Sequence, residues 1–469
     1  MPSKELLHQV ENIVGKQSVM TKIEDRLTYA YDASFHRHIP DLVVFPTNED
    51  QVVRLLTLAN EEELPIVPRG AGTGLTAGSV PVKGGIVLSL TRMNRIKVIN
   101  PENLTAIVQP GVVTGFFQRE VEKQKLYYPP DPQSFNTSTL GGNIAENAGG
   151  PRCFKYGVTR DYVLGLRVIS PSGKTWNFGG QTMKNVTGYN MSSLIVGSEG
   201  TLGIITQATL RLIPQPEARK TIMAVFNLIE QAAETVSGII ANRIVPAALE
   251  FLDDVSLRCI EQTLSIGLPL DAAAILLIEV DGFRETIERE IQLIKEVCIK
   301  CGAKGITIAQ NDEESQKLWA ARRAFAPALL KLNPTRISED ATVPRDKLID
   351  FIKGVKEIAI KYNLKLALAG HAGDGNMHPN FLVNTRDRDE MERVEKAVGE
   401  LFALTISLGG TLSGEHGIGT TKAPYLSQEL NKDTIGVMQA IKHAMDPKGI
   451  LNPGKIFFGD SVALPFSQE

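Results

Sequence analysis

The run Pro65-Ile-Val-Pro-Arg-Gly-Ala-Gly-Thr-Gly-Leu-Thr-Ala-Gly78 passes from a strand into a glycine loop without a break. Small residues at this density let several backbone N–H groups converge on phosphate oxygens. A tight loop packed on its own strand would use the same residues. The dinucleotide fingerprint G-x-G-x-x-G fails here, because Gly70 and Gly72 fit but position 75 is Leu. The P-loop fails at Gly173-Lys-Thr175, which has Val168 where the first glycine belongs. Upstream, residues 41–67 read strand, helix, strand. Leu42–Phe45 is apolar, and Thr47 followed by Asp50 suggests a capping-box start. Val52, Val53, Leu55, Leu56 and Ala59 then follow at helical spacing. Such a βαβ unit predicts a parallel strand pair with a right-handed crossover.

Downstream, Ile86–Leu90 and Leu104–Gln109 read as strands, and 114–125 as a helix. The stretch 127–152 is long, rich in Gly, Asn and Pro, and nearly without apolar periodicity. Loops of this length are commonly functional. It contains a second glycine loop, Thr139-Leu-Gly-Gly-Asn-Ile-Ala-Glu-Asn-Ala-Gly-Gly150, and a third follows at Gly197-Ser-Glu-Gly-Thr-Leu-Gly203. Three such loops in one domain, with strands expected at 161–169, 175–178 and 203–212, suggest one large ligand carrying a diphosphate.

The pattern changes near Pro214-Gln-Pro216. Strands expected at 221–226, 247–252, 272–280 and 304–309 alternate with helices at 229–241, 253–262, 283–299 and 313–331, a separate α/β or α+β layer. Further helices are expected at 346–362, 387–407 and 433–446. The 469 residues carry 50 Lys+Arg against 53 Asp+Glu, a net charge of −3 that argues against nucleic-acid binding by a general basic surface. No apolar run approaches the ~18 residues of a membrane helix. The N-terminus lacks the apolar block of a signal peptide, and four cysteines make no disulfide framework. These features predict a cytoplasmic protein. Cys298-Ile-Lys-Cys301 reads as a buried helix end, and no four-cysteine iron–sulfur set is present.

Three of the seven histidines fall in two glycine-rich segments, Gly370-His-Ala-Gly-Asp-Gly-Asn-Met-His378 and Ser413-Gly-Glu-His-Gly-Ile-Gly419. Strands at 365–369 and 377–383 flank the first. A turn at Gly373 and Gly375 can bring His371 and His378 together. Two imidazoles and a carboxylate suit a borderline divalent metal, and hydrogen-bonded turn histidines would give the same spacing.

The succession PRGAGTGL, YPPDP with TLGGNIAENAGG, KYGVTRDYV and VGSEGTLGIIT resembles the FAD domain of the vanillyl-alcohol-oxidase-type flavoproteins. The match is closest to glycolate oxidase FAD subunits and D-lactate dehydrogenases, over roughly residues 38–457. The resemblance implies an α+β fold in four parts. An N-terminal helical segment covers 1–37. An FAD-binding domain of a βαβ unit plus a mixed sheet covers 38–217. A substrate or cap domain with a mostly antiparallel sheet covers 218–425, and a segment returning to the FAD covers 426–469. It implies that Pro68, Arg69, Gly70, Ala71, Gly72, Thr73, Gly74, Leu75 and Gly78 hold the diphosphate. Pro132, Thr139, Gly142, Asn143, Asn147, Ala148, Gly149, Gly150, Ile205 and Asn452 would line the rest of the FAD, with Lys455 in the returning tail. Members with covalent FAD carry His near Thr73, so non-covalent FAD is implied.

In flavin-linked D-2-hydroxyacid dehydrogenases, GHxGDGNxH and GEHGxG form a metal and base site. By position, His371, His378 and Glu415 would bind zinc, iron or manganese. His416 would be the general base, Asn380 would hold substrate, and Arg322 would pair with its carboxylate. Hydride would pass to flavin N5. The relatives acting on D-2-hydroxyglutarate carry a Thr and a Lys where this chain has Ala326 and about Ser338, which favours a small acid, glycolate or D-lactate. Electrons would leave to quinone, oxygen or a partner, an iron–sulfur subunit or an electron-transferring flavoprotein, with membrane association only through partners. The oligomeric state stays open, a dimer included. Two rival readings are a non-redox enzyme of the alkylglycerone-phosphate synthase type and a non-catalytic FAD-binding subunit of an oxidase complex.

Overall fold

The computed structural model describes residues 3–457 and divides them into two compact units. One gathers the chain up to Gly149, Val158–Gln215 and the chain from Glu415 onward. The other gathers Gly150–Gly157 and Pro216–Gly414. The return to the first unit thus begins at Glu415, earlier than the expected 426. Its cause is local: the Ile418 and Gly419 amides donate to Glu199, and the Thr420 amide to Thr76 O. The stretch 458–469 of the expected C-terminal segment lies outside the described residues.

In the first unit a four-stranded sheet has the order Val19–Met20, Leu42–Val44, Ile86–Ser89, Ile66–Arg69. Leu42–Val44 and Ile66–Arg69 are each parallel to Ile86–Ser89, which lies between them. The βαβ strands therefore run parallel without pairing directly. Ile86–Ser89 is buried at every position, as a central strand covered on both faces must be. The helix Glu49–Glu61 buries Val52, Leu55, Leu56 and Ala59 against this sheet. Its cap is Asn48, whose side chain accepts from the Gln51 amide, rather than Thr47; Gln51 Oε1 instead accepts from Thr47 N and Oγ1. A second sheet, antiparallel throughout, has the order Ile96–Asn100, Thr105–Val108, Ile204–Arg211, Val163–Ile169, Thr175–Gly179. The mixed character expected of this domain resides in the first sheet. The long loop 127–152 holds a short helix, Leu140–Glu146, too brief to show apolar periodicity.

The second unit is built on an eight-stranded sheet in which every pairing is antiparallel. Its order is Gly305–Ile308, Ala218–Phe226, Ala274–Gly282, Ala248–Asp253, Lys365–His371, Asn376–Val383, Thr335–Ser338, with Ala341–Thr342 also paired to Asn376–Val383. The helices Asp254–Leu264 and Asp312–Leu329 cover one face, packing Leu257, Ile260, Ala321 and Phe325 onto Leu252, Ala369 and Leu382. Four more helices, Ile229–Ala241, Arg284–Lys300, Leu348–Lys361 and Arg388–Ser407, pack on strands of the same sheet. Among the described residues no helix is long and apolar enough to cross a membrane.

Candidate functional site

The glycine loops of the first unit close on one another. A Cβ at Gly70 would collide with Thr139 Oγ1, one at Gly72 with the Arg69 guanidinium, and one at Gly200 with the Pro68 ring. Gly72 and Gly200 also have φ of +70° and +69°, a region that glycine enters without strain. Thr139 caps the Leu140–Glu146 helix by accepting from Gly142 N, and left-handed Asn147 ends it. The amides of Gly197 and Glu199 donate to Ile144 O and Ala145 O, joining the third loop to the second. Asn143 donates to Thr114 Oγ1, Asn147 accepts from the Arg160 amide, and Ala148 O accepts from Thr159 Oγ1. Asn452 Nδ2 donates to Gly78 O at 2.8 Å and to Glu199 O at 2.7 Å, so the tail clamps the first and third loops. Ala71, Thr73, Gly74 and Leu75 are half-buried in the first loop. Pro132 O accepts from the Phe135 amide, and Ile205 sits opposite Val168 in the second sheet. Gly149 ends the first segment of this unit, and Gly150 opens the insertion assigned to the other.

Buried polar atoms surround these loops. Asp32 Oδ2, both ring nitrogens of His36, Glu146 Oε2 and Asn452 Oδ1 have no hydrogen-bond partner among the described residues. Uncompensated polar burial is costly. It is what a polar cofactor with many donors and acceptors would satisfy, so the residues present fit FAD. Burial holds His36 near pKa 4, neutral at pH 7, and lowers Lys455 to about 8.

The segment carrying Glu415 and His416 is fixed within this unit. Glu199 Oε1 accepts from Ile418 N at 2.8 Å and Oε2 from Gly419 N at 2.7 Å, while Thr76 Oγ1 donates to His416 O. Burial, then the neighbouring Glu199, pushes Glu146 well above the ordinary carboxylate range. Glu199 is raised by burial too, but its two amide donors and Lys455 oppose that. Glu199, which accepts two backbone amides, anchors the loop. Glu199→Ala would leave two amides without acceptors and is expected to cost about 2–4 kcal/mol. Urea unfolding would read this as a lowered midpoint at unchanged slope.

In the second unit, alternation along the strands sorts the site residues onto one sheet face. Glu250 pairs with His371, Ala369 with His378, and Ser338 with Asn380, so these side chains share a side. The turn Ala372–Gly375 returns the chain, with Gly375 at φ +81°. The His371 and His378 rings meet edge to face at 5.1 Å, both buried. Fully buried Glu250 bridges two partners, accepting from His371 Nδ1 at 2.7 Å and from Arg322 Nε at 2.6 Å. Burial alone would raise its pKa, but the charges and hydrogen bonds of His371 and Arg322 bring it below the ordinary value. An ionised carboxylate only accepts, so Nδ1 carries the proton it shares with Glu250, which leaves Nε2 as the ring atom suited to a metal. Asp340 takes Asn376 Nδ2 at 2.6 Å and Ser413 Oγ at 2.8 Å, and stands 4.0 Å from His378 Nδ1. Asn380 Nδ2 donates to His378 O, and its Oδ1 accepts from Arg336 Nη1. Arg323 is exposed and donates to Gln316 O and Oε1. Gly414 is wedged against Asn376 and Thr342, where a Cβ would not fit, and Glu415 follows one peptide bond later.

Sequence reasoning missed Glu250, Asp340, Glu199 and Arg336. A signal existed for Glu250, since one acid inside the run Ala-Leu-Glu-Phe-Leu252 marks a buried, paired carboxylate. All four cysteines are free thiols.

Comparison with known proteins matches residues 40–179 to the FAD binding domain family and residues 215–456 to the C-terminal domain of FAD linked oxidases. The chain is 49% identical over 462 residues to glycolate oxidase subunit GlcD of Bacillus subtilis, covering 98% of each. It is 34% identical to a D-lactate dehydrogenase of Anaerostipes hadrus, covering 97% of each. Among solved structures, p-cresol methylhydroxylase shares the fold with a TM-score of 0.81 over 96% of each chain, at 17% identity.

Proposed function

The chain belongs to the family of FAD-linked oxidases, and on that premise we propose that it oxidises a small D-2-hydroxyacid, glycolate or D-lactate, to the 2-oxo acid. The observation that carries this reading is the buried His371–His378 pair, with His371 held in one tautomer by Glu250. Bound FAD supplies the hydride acceptor, and a divalent ion on His371, His378 and Glu415 would acidify the 2-hydroxyl. His416 takes the hydroxyl proton as general base. Arg322 and Asn380 hold the carboxylate, and Glu250 keeps His371 oriented. Pro68–Leu75, Gly78 and the 139–150 loop hold the FAD, without a covalent bond at Thr73. The similarity to a protein named as a subunit supports an electron-accepting partner, an iron–sulfur subunit or an electron-transferring flavoprotein.

The test is anaerobic mixing of the purified protein with D- and L-2-hydroxyacids while the oxidised-flavin absorbance is followed. Glycolate or D-lactate is expected to bleach the flavin. Bleaching by none of the acids would overturn the reading, as would protein that purifies without flavin.

A further inference from the structure

Several cations of the second unit are matched to carboxylates, and Arg336 is not. Arg322 meets Glu250, Arg152 meets Glu279 at 3.1 Å, and Lys155 meets Asp281 at 2.6 Å. Arg336, on the strand Thr335–Ser338, has no carboxylate within ion-pair distance among the described residues. Its one hydrogen bond runs from Nη1 to Asn380 Oδ1 at 2.8 Å, and burial alone lowers its pKa. Arg336 is half-buried, and a guanidinium partly drawn out of water without a counter-charge is unfavourable. Such an arrangement is expected where the anion arrives with a ligand.

Its place in the sheet says which ligand. Arg336 pairs with Leu382 and Ser338 with Asn380, so Arg336 stands on the face that carries Asn380 and His378. Leu382 packs under the helix Asp312–Leu329, the element that brings Arg322 to the same face. Asn380 is fully buried and fixed at both ends, by Arg336 on one side and by His378 O on the other. His378 and Asn380 are two residues apart on one strand, about 7 Å. A guanidinium held on Asn380 is therefore within one short ligand of the imidazole pair.

We propose that Arg336 is a second carboxylate anchor for the 2-hydroxyacid, seated on Asn380, and that it makes the site select acids over neutral alcohols. Arg322 spends its Nε on Glu250 and so also positions His371, whereas the counter-charge of Arg336 comes with the substrate. The proposal rests on the hydroxyacid reading above and adds a residue to it.

Arg336→Gln keeps a donor for Asn380 and removes the charge. In the FAD-loaded protein it is expected to raise KM for glycolate and D-lactate about 30-fold, with kcat within about threefold. Oxalate, an unreactive dianion, should bind the variant about 30-fold more weakly by calorimetry, a readout independent of turnover. Arg336→Lys should recover part of both losses, while flavin content stays that of the parent. Unchanged KM and unchanged oxalate affinity in Arg336→Gln, with the parent enzyme active, would overturn the anchor alone. A parent protein that no 2-hydroxyacid reduces would overturn the function and the anchor together. Should Arg336→Gln fail to fold, two other readings decide: a KM for glycolate raised several-fold in Arg336→Lys supports the anchor, and a parent enzyme that turns over neutral 2-hydroxyamides as well as the acids overturns it.

Discussion

Glu250→Leu is expected to lower the unfolding free energy by about 3–5 kcal/mol, because it strands the buried Arg322 charge. Arg322 Nε donates to Glu250 Oε2, and the other carboxylate oxygen holds His371 Nδ1. Removing the carboxylate therefore acts twice, on stability through Arg322 and on chemistry through the His371 tautomer. Glu250→Gln separates the two effects. It keeps the shape and one acceptor but loses the charge, and is expected to slow flavin reduction roughly 10–100-fold while retaining more stability than the Leu variant. Denaturant unfolding and rapid-mixing reduction measure the two losses. A Leu variant as stable as the parent would contradict the ion-pair account.

His416→Ala is expected to slow flavin reduction by roughly 10²–10⁴, the range of a lost general base. The variant should still bind FAD. The segment 415–419 is anchored through the backbone, by Glu199 to Ile418 and Gly419 and by Thr76 to His416 O, so removing the imidazole leaves the anchor in place. Reduction at the parent rate, with flavin content unchanged, would remove His416 from the proposed chemistry and favour a non-catalytic FAD-binding role.

Local features were legible in the sequence. Val52, Leu55, Leu56 and Ala59 fix the buried face of Glu49–Glu61 because helix periodicity is a property of neighbouring residues. The choice of Asn48 over Thr47 as cap was not legible, since both side chains can accept from an amide and one residue separates them. Strand order was hidden for another reason. Ile86–Ser89 inserts between the two βαβ strands, and only long-range pairing records it. The same limit applies to the site. His371 and His378 sit on one hairpin, so their approach follows from the turn between them. Glu250 is 121 residues from His371 along the chain, and only the sheet register makes them neighbours. Arg336 lies on a four-residue strand, too short for alternation to announce which face it takes.

The most direct test follows anaerobic flavin reduction by glycolate and by glycolate deuterated at C2, in rapid mixing. Breaking the C2–H bond in the reductive step predicts bleaching by both acids, several-fold slower with the deuterated one. Equal rates, or a flavin that neither acid bleaches, would contradict it.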